Sequence, residues 1–241
     1  MRYLFHPSTL LLLAANILTI FFAWLHNWNV IVVMLLFVIQ GIIIGVLHYF
    51  KVLRLTAFST DGFSKNFPLG ITGKYLDISS LDKESAKQKT AGFFLFVYLF
   101  FHFIYLLFLG FLLIFFPLQS PLNASSGFVS NPVFSQVFSM TFLLAVLSYL
   151  FMHVVSFYLF RDEQNQPVDL GTFFWEPFIR IVPIHVTIIV SFFIMMSLSQ
   201  QYIVLYFVLG LKTVLDVVLH VRQHGQHSLP GDLHASRGQV S

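Results

Sequence analysis

The sequence predicts an all-α, polytopic membrane protein with six transmembrane helices and both termini cytoplasmic. Three observations carry this expectation. Of 241 residues, 57% are hydrophobic and 10% charged, whereas a soluble domain carries roughly 25% charged residues. The apolar residues fall into six blocks, each near the ~20 residues that cross a ~30 Å hydrocarbon core at 1.5 Å per residue. Lys and Arg gather at one set of block ends, and the positive-inside rule places that set in the cytoplasm.

The spans are expected at about 8–25, 30–50, 91–116, 133–160, 177–198 and 202–222. The first stretch is too long for a signal-peptide core and is read as a span. It carries one buried amide, Asn16, expected to bridge helices, and ends near Trp24 and Trp28, which suit a membrane interface. The second holds Gly41 and Gly45 four residues apart, a spacing that lets helices approach closely, with Gln40 mid-span and His48, Lys51 and Arg54 at its end. A polar connection over 55–90 follows, broken by Gly62, Pro68, Gly70 and Gly73, with a short surface helix expected at 80–89. The third span places Tyr98, His102 and Tyr105 along one stripe. The fourth puts Tyr149, His153 and Ser156 on one face. In the fifth, Pro177 is expected at the first helical position, followed by Arg180, Pro183 and His185. The sixth brings Lys212, Asp216 and His220 at successive four-residue steps onto one side of a helix. Residues 1–222 form one transmembrane domain, and 223–241 a polar flexible tail.

Composition also narrows the chemistry. There is no Cys, so disulfides, thiolate metal sites, iron–sulfur clusters and a Cys nucleophile are excluded. The net charge is +3, and the mixed signs of the second connection indicate a solvated face rather than a nucleic-acid patch. The basic residues Arg2, Lys51, Arg54, Arg161, Arg222 and Arg237 fall on the side of the termini. The opposite connections, 26–29, 117–132 and 199–201, hold no Lys or Arg.

An ionisable group inside a span costs about 2.5–3.5 kcal/mol even on lenient insertion scales, so Lys212, Asp216 and their neighbours must face a partner, an ion or water. Counted from the cytoplasmic ends, His153, His185 and Asp216 fall at a common depth of roughly 9–12 Å. His153, His185, Asp216 and His220 could ligate a divalent metal, with Zn, Fe, Cu or Mn all compatible. Lys212, Arg180 and His102 would surround them. The leading expectation is a metal-dependent membrane hydrolase or oxidoreductase acting on a lipid or other apolar substrate; in the hydrolase, metal-bound water is the nucleophile and Arg180 or Lys212 holds an anionic group. Haem on paired histidines, a proton or ion path, and a structural ion pair from Asp216 to Lys212 or Arg180 stay open beside it. A subunit of a larger membrane assembly is a further alternative.

Two segments, Pro177–Ile189 and Leu211–His220, resemble an uncharacterised family of prokaryotic membrane proteins, domain of unknown function 6498. Gly45–Lys51 resembles that family's second span. The resemblance implies a multi-span helical fold with a shared polar core, in the inner membrane of a prokaryote. It implies no activity. Gln40 stands where the family pattern leads us to expect an acidic residue, and the 55–90 connection is long.

Overall fold

A computed structural model of the chain describes residues 7–60, 81–115, 132–159, 168–197 and 201–227. The elements are α1 (Pro7–Leu25), α2 (Val30–Arg54), β1 (Phe58–Ser59), α3 (Lys83–Phe115), α4 (Pro132–Val137), α5 (Met140–Leu159), β2 (Val168–Asp169), α6 (Leu170–Ser197) and α7 (Gln201–His227). Among the described residues, α2, α3 and α5 are long and apolar enough to cross a membrane.

The bundle is organised around α2. Its apolar residues lie on every side, and Val30–Met34, Leu36–Val38, Gly41, Gly45 and Val52 are all buried. A helix that is apolar all round belongs inside, and α2 packs against α3, α5, α6 and α7. On α3 the buried side chains are Phe94, Tyr98, His102, Tyr105, Leu109 and Leu112, a spacing of three and four that marks one helix face. The opposite face exposes Phe96, Phe100, Phe103, Leu107 and Phe111. An apolar outer stripe on a helix that already has an apolar inner one calls for an apolar surrounding.

Gly41 and Gly45 set how closely α2 and α3 approach. A Cβ added at Gly41 would overlap the His102 ring, and one at Gly45 would overlap the Tyr98 ring. The small-residue spacing therefore seats two large aromatic side chains of α3 directly on the α2 backbone.

Short turns join the first helices. Asn27 takes φ 47°, a left-handed conformation that Asn tolerates better than most residues. The Asn29 side chain caps α2 by accepting from Ile31 N at 2.9 Å. Gln136 of α4 holds this turn from outside: its Oε1 accepts from Asn29 N at 2.8 Å and its amide donates to Asn27 O at 3.1 Å.

Several boundaries differ from the sequence expectation. The span expected over 133–160 breaks at Ser139, whose Oγ accepts from Phe142 N at 3.2 Å and so starts α5 afresh. The sixth helix begins at Leu170, not at Pro177. Asp169 supplies the cap, accepting from Thr172 N at 2.7 Å and Thr172 Oγ1 at 2.8 Å. Pro177 thus sits in the helix interior, past the first position. The last helix runs to His227, five residues beyond 222. The remaining tail, 228–241, and residues 61–80 of the connection lie outside the described residues. β1 and β2 pair in parallel, Phe58 with Val168 and Ser59 with Asp169. They tie the exit of α2 to the entry of α6.

The short helix expected at 80–89 is continuous with α3, which starts at Lys83. Asp82 caps it, accepting from Ser85 N at 3.0 Å. Glu84 pairs with Lys87 at 2.7 Å. Hydrogen bonding by Ser85 holds the Asp82 carboxyl below its ordinary value, and hydrogen bonding by Lys87 does the same for Glu84. A depressed folded pKa means that the stabilisation is present above the ordinary carboxylate range and is lost as pH falls through the depressed value. The amides of residues 84–86 should therefore lose exchange protection below about pH 4. Asp82→Ala should produce most of that loss at neutral pH. Equal protection in Asp82→Ala and the unaltered protein across the titration would rule out the cap.

Candidate functional site

Three helices place polar side chains on a common point inside the bundle. On α7, Lys212 and Asp216 stand one turn apart and form an ion pair, Nζ to Oδ2 2.7 Å. From α1, Asn16 Oδ1 accepts from Lys212 Nζ at 2.8 Å. From α5, Tyr149 OH accepts from the same ammonium at 3.3 Å. An ammonium has three protons, and here three acceptors surround it. Asn16 completes the circuit: its Oδ1 also accepts from Tyr149 OH at 2.8 Å, and its amide nitrogen lies 3.4 Å from Asp216 Oδ2. Thr19, one turn along α1, has its hydroxyl 3.1 Å from Tyr149 OH and 2.9 Å from Ala15 O; its single proton serves one acceptor at a time.

Burial makes this arrangement costly to disturb. Lys212 is 4% exposed and Asn16 1%, so each lost contact would leave a desolvated group. The Phe37 and Tyr149 rings each lie 4.7 Å from Lys212 Nζ and add cation–π attraction. Asp216 is the open member, with its side chain 26% exposed.

A second polar group surrounds a cavity of about 80 Å³, lined by His48 and Lys51 of α2, His153 and Ser156 of α5, and Glu176 of α6. It lies at the end of the bundle where α2 and α5 finish and α1 and α6 begin. Leu12 and Met152 also line it. Leu12 is one turn from Asn16, and Met152 and His153 are one turn from Tyr149, so the cavity abuts the charge pair along both helices. The Gln40 amide nitrogen lies 3.4 Å from His153 Nε2. His48 Nε2 lies 3.0 Å from Phe173 O, with its ring packed against Phe94 and Phe173.

Of the residues expected to form the site, Lys212 and Asp216 meet directly. His153 shares the cavity face of α5 with Tyr149. His102 packs in the α2–α3 interface, its Nδ1 2.8 Å from Tyr98 O and its ring against Tyr98 and Tyr105. The side chains of Arg180, His185 and His220 lie outside the described residues. Among the described residues, no group of three or more His, Asp or Glu side chains could hold a metal. Asp216 Oδ2 has an ammonium at 2.7 Å, and a metal cation on that oxygen would sit against a like charge. Thr19 and Glu176 were not singled out from sequence. A Thr hydroxyl that can satisfy itself on its own helix gives no pattern signal, and Glu176 reads as an ordinary span-boundary charge.

Comparison with curated proteins and with solved structures gives no match at significance. A family model matches residues 3–232, nearly the whole chain. The segments that carry the resemblance, and the Lys212–Asp216 pair within them, fall inside that match, and the chain belongs to DUF6498, a family of unknown function.

Proposed function

We propose that this chain is a six-span membrane protein of the transport class, with cytoplasmic termini, in which protonation of Asp216 is linked to binding or passage of a solute. The length of the helices supports six spans: α1, α6 and α7 have 19, 28 and 27 residues, and at 1.5 Å per residue each reaches about 30 Å or more. The placement of Lys51 and Arg54 in the last turn of α2 supports the orientation.

The observation that carries the functional reading is the buried Lys212 ammonium paired with one carboxylate, Asp216. With Asp216 ionised, the pair is neutral. Adding a proton to Asp216 removes its charge and leaves the site at +1, with the ammonium held by neutral groups alone. A buried uncompensated charge is unstable, so the protonated state favours either a rearranged bundle or arrival of a negative group. That is the two-state behaviour that a proton-linked carrier requires. The partial exposure of Asp216 supports the reading, since it leaves the carboxylate less enclosed than the ammonium it holds.

Proteoliposomes with a trapped pH dye test this reading. Small organic anions supplied as a panel should drive proton uptake, and Asp216→Asn and Lys212→Gln should each reduce it at least tenfold. Uptake unchanged in Asp216→Asn would sink the proposal. Elemental analysis decides the rival reading, the metal-dependent enzyme built on His153, His185, Asp216 and His220. Stoichiometric metal lost in Asp216→Ala and His185→Ala would replace transport by metal chemistry.

A further inference from the structure

The cavity at the basic end of the bundle carries both signs of charge. Lys51 supplies a cation, Glu176 an anion, His48 and His153 two imidazoles, and Ser156 a hydroxyl. The groups come from three helices, while the walls behind them are apolar and include Leu12, Ile44 and Met152. The rim is braced by Arg54, whose guanidinium lies 4.7 Å from the Phe157 ring centre and 5.9 Å from that of Tyr158.

Such a lining discriminates by sign. A simple anion would meet Glu176, and a simple cation would meet Lys51, so each faces one like charge in the lining. A molecule with both signs satisfies both: its ammonium donates to the Glu176 carboxylate, while its anionic oxygens accept from Lys51 and an imidazole. The apolar walls cover the carbon stem. With the helices spanning a bilayer as proposed above, the cavity at their ends falls toward the membrane surface.

We infer that this cavity binds a zwitterion bearing a primary ammonium and a phosphate ester a few bonds apart. Two sources share that chemistry, the headgroup of phosphatidylethanolamine and a free phosphoethanolamine-like solute. The assignment stands independently of proton linkage at Asp216. Binding without proton movement would leave it in place and remove the transport reading.

Thermal unfolding of the full chain in maltoside detergent tests it. The probes are short-chain phosphatidylethanolamine, phosphatidylglycerol and phosphatidylcholine, and O-phosphoethanolamine. A bound probe at a hundredfold excess over its Kd should raise Tm by about 5–10 °C. Phosphatidylethanolamine should do so and phosphatidylglycerol should not. Phosphatidylcholine should also fail, because its quaternary ammonium has no proton to donate to Glu176. A response to O-phosphoethanolamine as well assigns the site to a free solute; a response to the lipid alone assigns it to the membrane. Glu176→Gln should erase the preference over phosphatidylglycerol, and Lys51→Met should weaken binding of the zwitterion. If Glu176→Gln does not fold, the contrast between ethanolamine and choline lipids in the unaltered protein decides. Equal shifts with all three lipids, or none with any probe, would overturn the assignment.

Discussion

Asp216→Ala should destabilise the folded protein by about 3–5 kcal/mol, because it strands Lys212 as a buried charge without its counter-ion. Lys212 is 4% exposed, and the two neutral acceptors that remain, Asn16 Oδ1 and Tyr149 OH, cannot replace a carboxylate. Lys212→Met should cost less. The carboxylate left behind is 26% exposed, less enclosed than the ammonium, and keeps the Asn16 amide nitrogen at 3.4 Å. The double variant Lys212→Met, Asp216→Ala should recover most of the loss of Asp216→Ala, since replacing both members of a buried pair by apolar groups is often close to neutral. Unfolding in mixed micelles for the two single variants and the double variant yields the coupling between the residues. If the double variant is no more stable than Asp216→Ala, the pair is not an energetic unit. Transport in the double variant should nonetheless be absent, which separates stability from function.

Gly41→Ala should destabilise the bundle by about 1–3 kcal/mol, the usual range for overpacking, or somewhat more. The added methyl would overlap the His102 ring, and that ring is 1% exposed, with Tyr98 stacked at 4.6 Å between centroids. It has little room to withdraw. His102→Ala removes the obstacle, so Gly41→Ala in that background should cost far less than in the native protein. Gly110→Ala, where a Cβ meets nothing within 4 Å, is the control and should have little effect. The same unfolding assay measures all four variants. A Gly41→Ala effect that persists undiminished beside His102→Ala would mean that the ring is not what it strikes.

The helical class, the approximate helix positions and a close-packing face on α2 were legible in the sequence; that α3 is the helix seated on that face was not. Each legible feature follows from a repeating pattern: long apolar blocks, or two glycines four residues apart. The boundaries that moved did so at polar residues whose side chains bond the backbone. Ser139 splits the fourth span and Asp169 starts the sixth helix early. A cap acts through geometry that hydropathy does not record.

The candidate site was half visible. Lys212 and Asp216 share a helix, so their pairing follows from a four-residue step, and Asn16 was expected to bridge helices. The expected grouping around a metal came instead from estimating depth along separate helices. Depth places a residue at a level in the membrane, but rotation about the helix axis decides which way it faces. His102 shows the difference. Counted by helical rise from the sequence, it falls level with Lys212, yet it faces the groove cut by Gly41 and packs between Tyr98 and Tyr105.

Local rules, then, were enough to say that this chain forms apolar helices and that the last of them sets Lys212 and Asp216 one turn apart on one side, with their ion pair one alternative beside a metal site. Hydrogen bonding within a helix and the cost of charge in hydrocarbon act over a few residues, so the order of residues along the chain records them. Which helix is central, which amide and phenol surround the ammonium, and which five polar groups share a cavity depended on how the helices pack. Those contacts join residues as far apart as Asn16 and Lys212, and side-chain interlock across the bundle, rather than any spacing along it, brings them together.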